Sequence, residues 1–374
     1  MSERDALEKA VQDGLVTDEQ AKALQDYLAK GGDPGAPSDA ESLRFLANLN
    51  DIFLSVGILL LTLGVSVAAA FVLAPLGRSP QMSAMIVCLV VGGGAWAMAE
   101  YFTGRRKLLL PSMTLALIIY ACAVSIAAIF AFTQVGEDVA DELASSIAGD
   151  DAREPEAFGL FGAILSANLW TLVAGVAAMA AFYARFRLPF SMFLIAVSGA
   201  FIFYTLIAKL GGGEAYAGVF ILVAGLATLA AGVWFDGKDP ERHTLDSDNA
   251  FWLHMAAAPQ IMIGARMLVG GEPFEFTTGQ AVIMLVVLIL IGFASLALNR
   301  RALIVSGLLT FAAAIITLFR SAGVDGAGMV AGPLLVIGGS VVLLGGGWRT
   351  ARRAVLKLIP ETPLAQRIFP PEPL

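Results

Sequence analysis

The sequence predicts an all-α polytopic integral membrane protein with about ten transmembrane helices, and three observations lead there. Of its 374 residues, 57% are hydrophobic and only 15% are charged, where a soluble domain carries roughly a quarter charged residues. Mean hydropathy is +0.77. Apolar runs close to the ~20 residues that cross a bilayer as a helix recur along most of the chain. A chain so poor in charge cannot solvate its own surface in water. Soluble enzymes, nucleic-acid-binding domains and disordered proteins are thereby excluded as classes.

The elements follow in chain order. Residues 1–30 read as a small helical hairpin. Ser2 with Asp5 resembles a capping box, Leu7, Ala10 and Val11 form an apolar stripe, and Gly14 suits a C-cap. Thr17 with Gln20 makes a second S/T-x-x-E/Q box, flanked by Val16 and Ala21 at hydrophobic-staple positions, and Leu24, Tyr27 and Leu28 continue the second stripe. Two helices this short cannot bury a core of their own, so the hairpin is expected to dock on the protein's own loops or on a partner protein. Residues 31–50, opening with Gly, Pro, Ser and Asp, form a linker.

The transmembrane domain occupies 51–348, with spans expected at 52–74, 82–99, 108–132, 158–183, 188–208, 215–235, 250–269, 279–298, 302–319 and 329–348. Between the third and fourth spans lies an acidic outer loop, 133–157, with eight acids and one base. Val135, Val139, Leu143 and Ile147 recur every four residues there, which predicts a short amphipathic helix on the membrane face. The basic, proline-rich tail 349–374 carries Arg349, Arg352, Arg353 and Lys357 among apolar residues, the composition of a juxtamembrane helix that contacts anionic lipid headgroups. Pro360 ends that helix.

Orientation follows from the bases, which cytoplasmic loops retain. With the N-terminus inside, ten spans place 19 of the 24 Lys and Arg residues on the cytoplasmic side. Both termini are therefore expected to be cytoplasmic. Cys88 and Cys122 both fall inside apolar runs, which points to small packed side chains rather than to a disulfide framework.

The stretch from Leu7 to Leu28, with Gly14-Leu15-Val16-Thr17-Asp18-Glu19-Gln20 at its centre, resembles the opening of a bacterial family of uncharacterised multi-span membrane proteins. In that family a short helical segment precedes a Gly-punctuated first span, and Ser55-Val56-Gly57-Ile58-Leu59-Leu60 with Gly64-Val65 is similar to it. The resemblance covers about a fifth of the chain. It implies the architecture and a bacterial cytoplasmic (inner) membrane, and it carries no activity. The family's Trp after the first span and its shorter linker are not matched.

Chemistry has few places to sit. At 1.5 Å per residue, no Asp, Glu, Lys, Arg or His falls near the bilayer midplane, which argues against proton- or ion-coupled transport. Asp51, Glu100, Lys209, Arg266 and Arg320 lie near span ends, where snorkelling to headgroups accounts for them. His254 reads as a packed interfacial polar group with no acid nearby. Asp236, Asp239, Glu241, His243, Asp246 and Asp248 offer carboxylates and an imidazole, but their spacing fits no Ca²⁺ loop. There is no nucleophile elbow, no His-Glu-x-x-His pair and no phosphate-cradling Gly-Lys-Ser/Thr loop, so no enzyme, metal or cofactor is expected.

Two functional readings remain open. The first is a scaffold or accessory subunit of a membrane assembly, with the bilayer, anionic headgroups at the tail, a protein at the hairpin and a second copy of the chain as partners. The second is a transporter or channel for a neutral or weakly polar solute, built on two inverted five-span halves. Span two would then be interrupted at Gly92, Gly93 and Gly94 and span seven at Pro259 and Gln260. With Asn168 these form the candidate midplane site. The scaffold reading predicts that Asn168 and Gln260 hydrogen-bond to neighbouring helices in a dry core; the transporter reading predicts a wet cavity.

Overall fold

The computed structural model describes residues 11, 13, 17–22, 49–134, 169–207, 216–240, 242, 244–270, 276–305, 307–359, 362 and 368–369. The acidic loop beyond Gln134, Asn168, and most of the hairpin and linker lie outside them. Contacts divide the chain into two compact units, Met1–Leu43 and Arg44–Leu374. Within the first, the box at Thr17 is formed. The Thr17 N–H donates to Gln20 Oε1 at 3.0 Å, and the Gln20 N–H donates to Thr17 Oγ1 at 3.3 Å. These are the two reciprocal bonds that satisfy orphan donors at a helix start.

The second unit is helical throughout its described elements: α1 Leu49–Leu73, α2 Pro80–Ala99, α3 Leu109–Gln134, α4 Leu169–Phe186, α5 Phe190–Ile207, α6 Ala217–Asp236, α7 Leu245–Val269, α8 Thr278–Leu298, α9 Leu308–Ser321 and α10 Ala327–Leu356. A π-helical turn, Glu100–Arg105, extends α2, and a one-turn helix, Ala302–Val305, precedes α9. Among the described residues, eight helices are long and apolar enough to cross a membrane, fewer than the ten expected. The two that fall short do so for different reasons. The expected ninth span is broken into the one-turn helix and α9, and α9 has only 14 residues. The other, α7, has 25 residues but carries Asn249, His254, Gln260 and Arg266. It is also the helix with the most buried residues, and Asn249, His254 and Gln260 hydrogen-bond to neighbouring helices.

Consecutive helices pack on one another. One apolar cluster, centred on Ile58, Ala95, Leu115, Met179, Phe182 and Leu194, joins α1 to α5. A second, centred on Ala258, Ile261, Met284 and Leu303, joins α7 to α8, with Leu222 and Val233 of α6 packed against it. Between these clusters α5 touches both α6 and α7.

The most extensive contact, α6 on α7, depends on glycine. A Cβ on Gly218 would lie 2.9 Å from the Leu268 backbone N, and one on Gly225 would lie 2.8 Å from that of Ile261. On Gly232 it would lie 2.8 Å from His254 Cε1. These three glycines recur at a seven-residue spacing, so they line one seam of α6. From the other side, Gly264 of α7 admits the Leu222 backbone. Small residues let two backbones approach closely where no hydrophobic drive separates helix from lipid.

The turns at the two ends of the bundle are built differently. At one end, Gly77 and Gly270 supply the left-handed residue after α1 and α7, and Gly323 and Gly326 supply it between α9 and α10. At the other, the residues with positive φ are Lys107 (54°), Arg187 (55°), Arg242 (59°) and Asn299 (53°). One falls in each of the α2–α3, α4–α5, α6–α7 and α8–α9 turns. A side chain in that region costs roughly 1–2 kcal/mol, except for Asn, which tolerates it. Glycine would relieve the strain, but at three of the four positions it would remove a base.

Candidate functional site

The basic-turn end carries a series of polar links that tie one hairpin to the next. At the end of α2, Glu100 accepts from Arg185 at the end of α4, with Nε to Oε1 at 3.0 Å and Nη2 to Oε2 at 2.7 Å. Two residues earlier on α4, the Tyr183 hydroxyl accepts from Asn249 Nδ2 of α7 at 2.7 Å. The last residue of α6, Asp236, is then shared by two partners. Its Oδ2 accepts from His254 Nε2 at 2.8 Å and from Arg300 Nε at 3.3 Å, while Arg300 Nη2 donates to Oδ1. Arg242 donates to the carbonyls of Leu298 (2.6 Å) and Asn299 (2.9 Å), which α8 leaves unpaired at its C-terminus. Finally, Asn299 Oδ1 accepts from Trp348 Nε1 of α10 at 2.8 Å.

At the centre of this series Asp236 is 5%, His254 0% and Arg300 3% exposed. Arg300 Nη2 also donates to the Ser247 carbonyl at 3.1 Å and to its hydroxyl at 3.0 Å. A carboxylate held by a guanidinium is an acceptor only, so the imidazole nitrogen facing it is the donor. Nε2 of His254 therefore carries a proton. Nδ1, which has no hydrogen-bond partner, faces the space that a Cβ on Gly232 would fill, 2.9 Å away. The cluster holds a carboxylate and a guanidinium, each hydrogen-bonded, in a shell closed by α6, α7 and the α8–α9 turn. Such an arrangement fixes the register of three elements and presents no open face to a substrate.

Sequence reasoning reached some of these residues and missed their relation. His254 was expected to lack an acid, yet Asp236 lies against it. The residues stand 18 apart along the chain, and only the α6–α7 turn brings them together. His254 also sits nine residues inside α7, because that helix begins at Leu245, five residues before the expected span. Glu100 was expected to snorkel and instead pairs with Arg185. Among the described residues, no group of three or more His, Cys, Asp or Glu could hold a metal ion. Of the loop acids considered for one, Asp239 accepts from the Thr244 N–H (2.7 Å) and hydroxyl (2.8 Å), while Glu241 and His243 lie outside the described residues.

The described residues of the candidate midplane site fall on continuous helices. Helix α2 runs without interruption through Gly92, Gly93 and Gly94, and α7 runs through Pro259 and Gln260. Glycine permits a break without imposing one, and at position 92 it serves packing, since a Cβ there would lie 3.2 Å from Cys122 Cβ. Pro259 removes one backbone donor, but the flanking turns keep the helix continuous. Gln260 is held from two sides: Oε1 accepts from Thr228 Oγ1 of α6 at 3.1 Å, and Nε2 donates to the Ala196 carbonyl of α5 at 3.4 Å. Asn168 lies outside the described residues. In the basic tail, Arg349, Arg353 and Lys357 are exposed along one face at four-residue spacing, but Arg352 is 2% exposed and turned into the protein. The segment is no separate helix, since α10 continues to Leu356.

No protein-family model matches the chain, and comparisons with curated proteins and with solved structures found no match.

Proposed function

We propose that this chain is a scaffold or accessory subunit of a membrane assembly, a fixed body rather than a gated path. The observation that carries the reading is Gln260. Three residues past the middle of the most buried helix, its side chain is spent on hydrogen bonds to α5 and α6. In a transport path such a group is left to meet solute and water. The glycine seam of α6 and α7 supports the same reading, because packed backbones have little room to part.

The membrane placement proposed with it is ten crossings with both termini on the cytoplasmic side of a bacterial inner membrane. In this arrangement α7 crosses shielded by its neighbours, and the one-turn helix with α9 completes the ninth crossing. Support comes from the gathering of exposed bases at the end where α2, α4, α6 and α8 finish. The partners proposed are the bilayer, anionic headgroups along Arg349, Arg353 and Lys357, and a protein contacting the N-terminal hairpin. Membership of the family of uncharacterised multi-span proteins is part of the proposal, resting on the motif around Thr17.

Thiol accessibility tests the reading. With Cys88 and Cys122 replaced by Ala, Gln260→Cys in intact membranes is exposed to a membrane-impermeant maleimide from each side, with Arg78→Cys and Lys107→Cys as accessible controls. The expected result is no labelling at 260 from either side while the controls react. Labelling at 260 overturns the fixed-body reading and favours a solute path.

A further inference from the structure

At the basic-turn end, a groove of about 470 Å³ opens between the ends of α6, α8 and α10. That volume falls in the range of roughly 300–1,000 Å³ typical of small-molecule sites. Every side chain lining it is apolar: Val233 from α6, Phe293 and Ala297 among those from α8, Val355 from the end of α10, and Leu358 and Phe369 beyond it. Nothing in such a lining can orient a polar solute. Its edge has a different character. Trp234, beside Val233, is 59% exposed, and the Lys238 ammonium rests 3.3 Å from the centre of its ring.

On each of three walls, the exposed charge next to the lining is a base: Lys238 beyond Val233, Arg301 beyond Leu298, and Lys357 before Leu358. The neighbouring acids Asp236 and Asp239 are buried and engaged as described above. An amphipathic aromatic and a lysine at one level are the marks of the headgroup region. An apolar trough below a cationic edge complements one kind of molecule, an amphiphile with a hydrocarbon chain and an anionic head. We propose that the groove holds an acyl chain of one anionic phospholipid from the surrounding bilayer, with its phosphate at Lys238. This rests on the membrane-embedded reading of the bundle and not on the scaffold role, so a labelled Gln260 would leave it standing.

The full chain, purified in detergent and delipidated, is incubated with mixed micelles containing phosphatidylglycerol or phosphatidylcholine, and retained lipid is counted by native mass spectrometry. One phosphatidylglycerol is expected to persist in preference to phosphatidylcholine. Ala294→Trp, which fills the groove, should lower its retention about tenfold. Lys238→Gln should reduce the preference for phosphatidylglycerol about fivefold while sparing chain insertion. Equal retention of the two lipids by the wild-type chain overturns the proposal, as does undiminished retention by a folded Ala294→Trp.

A second measurement needs no variant. Phosphatidylglycerol with a photoactivatable acyl chain should give adducts on the peptides containing Phe293 and Leu358. Adducts confined to other helices would mean that the groove is empty or filled by the chain's own tail, and would equally overturn the proposal.

Discussion

Two carboxylate–guanidinium pairs sit at the same end of the bundle. Glu100–Arg185 has the bidentate geometry of a strong pair, yet its side chains are 41% and 58% exposed. Asp236–Arg300 is enclosed and shares its carboxylate with His254. Water and salt compensate the first when it breaks, so exposed pairs are typically worth ~0–1 kcal/mol. For the second nothing replaces the partner, and removing one member of a buried pair costs roughly 3–5 kcal/mol. Similar chemistry thus serves two ends: at α2–α4 it trims a surface, and at α6–α8 it commits three elements to one register.

The most severe break of this contrast should be Asp236→Ala or Arg300→Ala. Either leaves a buried charge alone, and a loss of about 3–5 kcal/mol is expected in reversible unfolding in detergent. Next come the glycines that admit a neighbouring helix. Gly225→Ala presses on the Ile261 backbone, and Gly232→Ala presses on the His254 ring. Each should cost about 1–3 kcal/mol by overpacking, and Gly232→Ala should also perturb the His254 imidazole resonances. Gln260→Leu, which forfeits the bonds to Thr228 and Ala196, should cost about 1 kcal/mol.

Glu100→Gln should change stability by no more than about 1 kcal/mol, with the difference shrinking as salt is raised. Gly345→Ala should cost nothing measurable, since a Cβ there meets open space and alanine favours helix. A large loss in either of these last two variants would remove the distinction between inner and outer positions.

Much of the fold was legible because it is written in one-dimensional signals. Runs of apolar residues located a helix for every expected span, and the Thr17–Gln20 spacing announced its capping box. The seven-residue spacing of Gly218, Gly225 and Gly232 was equally visible. It does not point to α7, because spacing alone does not say which helix a glycine faces. The pairing of Asp236, His254 and Arg300 was hidden for a related reason. Each stands near the end of an apolar stretch, where a lone charge looks like an interfacial one. Only the turns at Arg242 and Asn299 bring them into one shell. The expected interruptions at Gly92 and Pro259 failed because residues that allow a kink were read as residues that impose one. Helix α7 is more polar than the eight apolar helices for the opposite reason: a helix packed largely against protein has no need of an apolar surface all round.

The central claim is that Asp236 and Arg300 act as one unit locking α6 and α7 to the end of α8. A double-mutant cycle with Asp236→Asn, Arg300→Gln and the combination, read by reversible unfolding in one detergent, tests it most directly. The account predicts strong coupling: each single change is costly, and the double change costs clearly less than the two added together, by about 1–3 kcal/mol. Additive losses would show two residues contributing separately, and would contradict the lock.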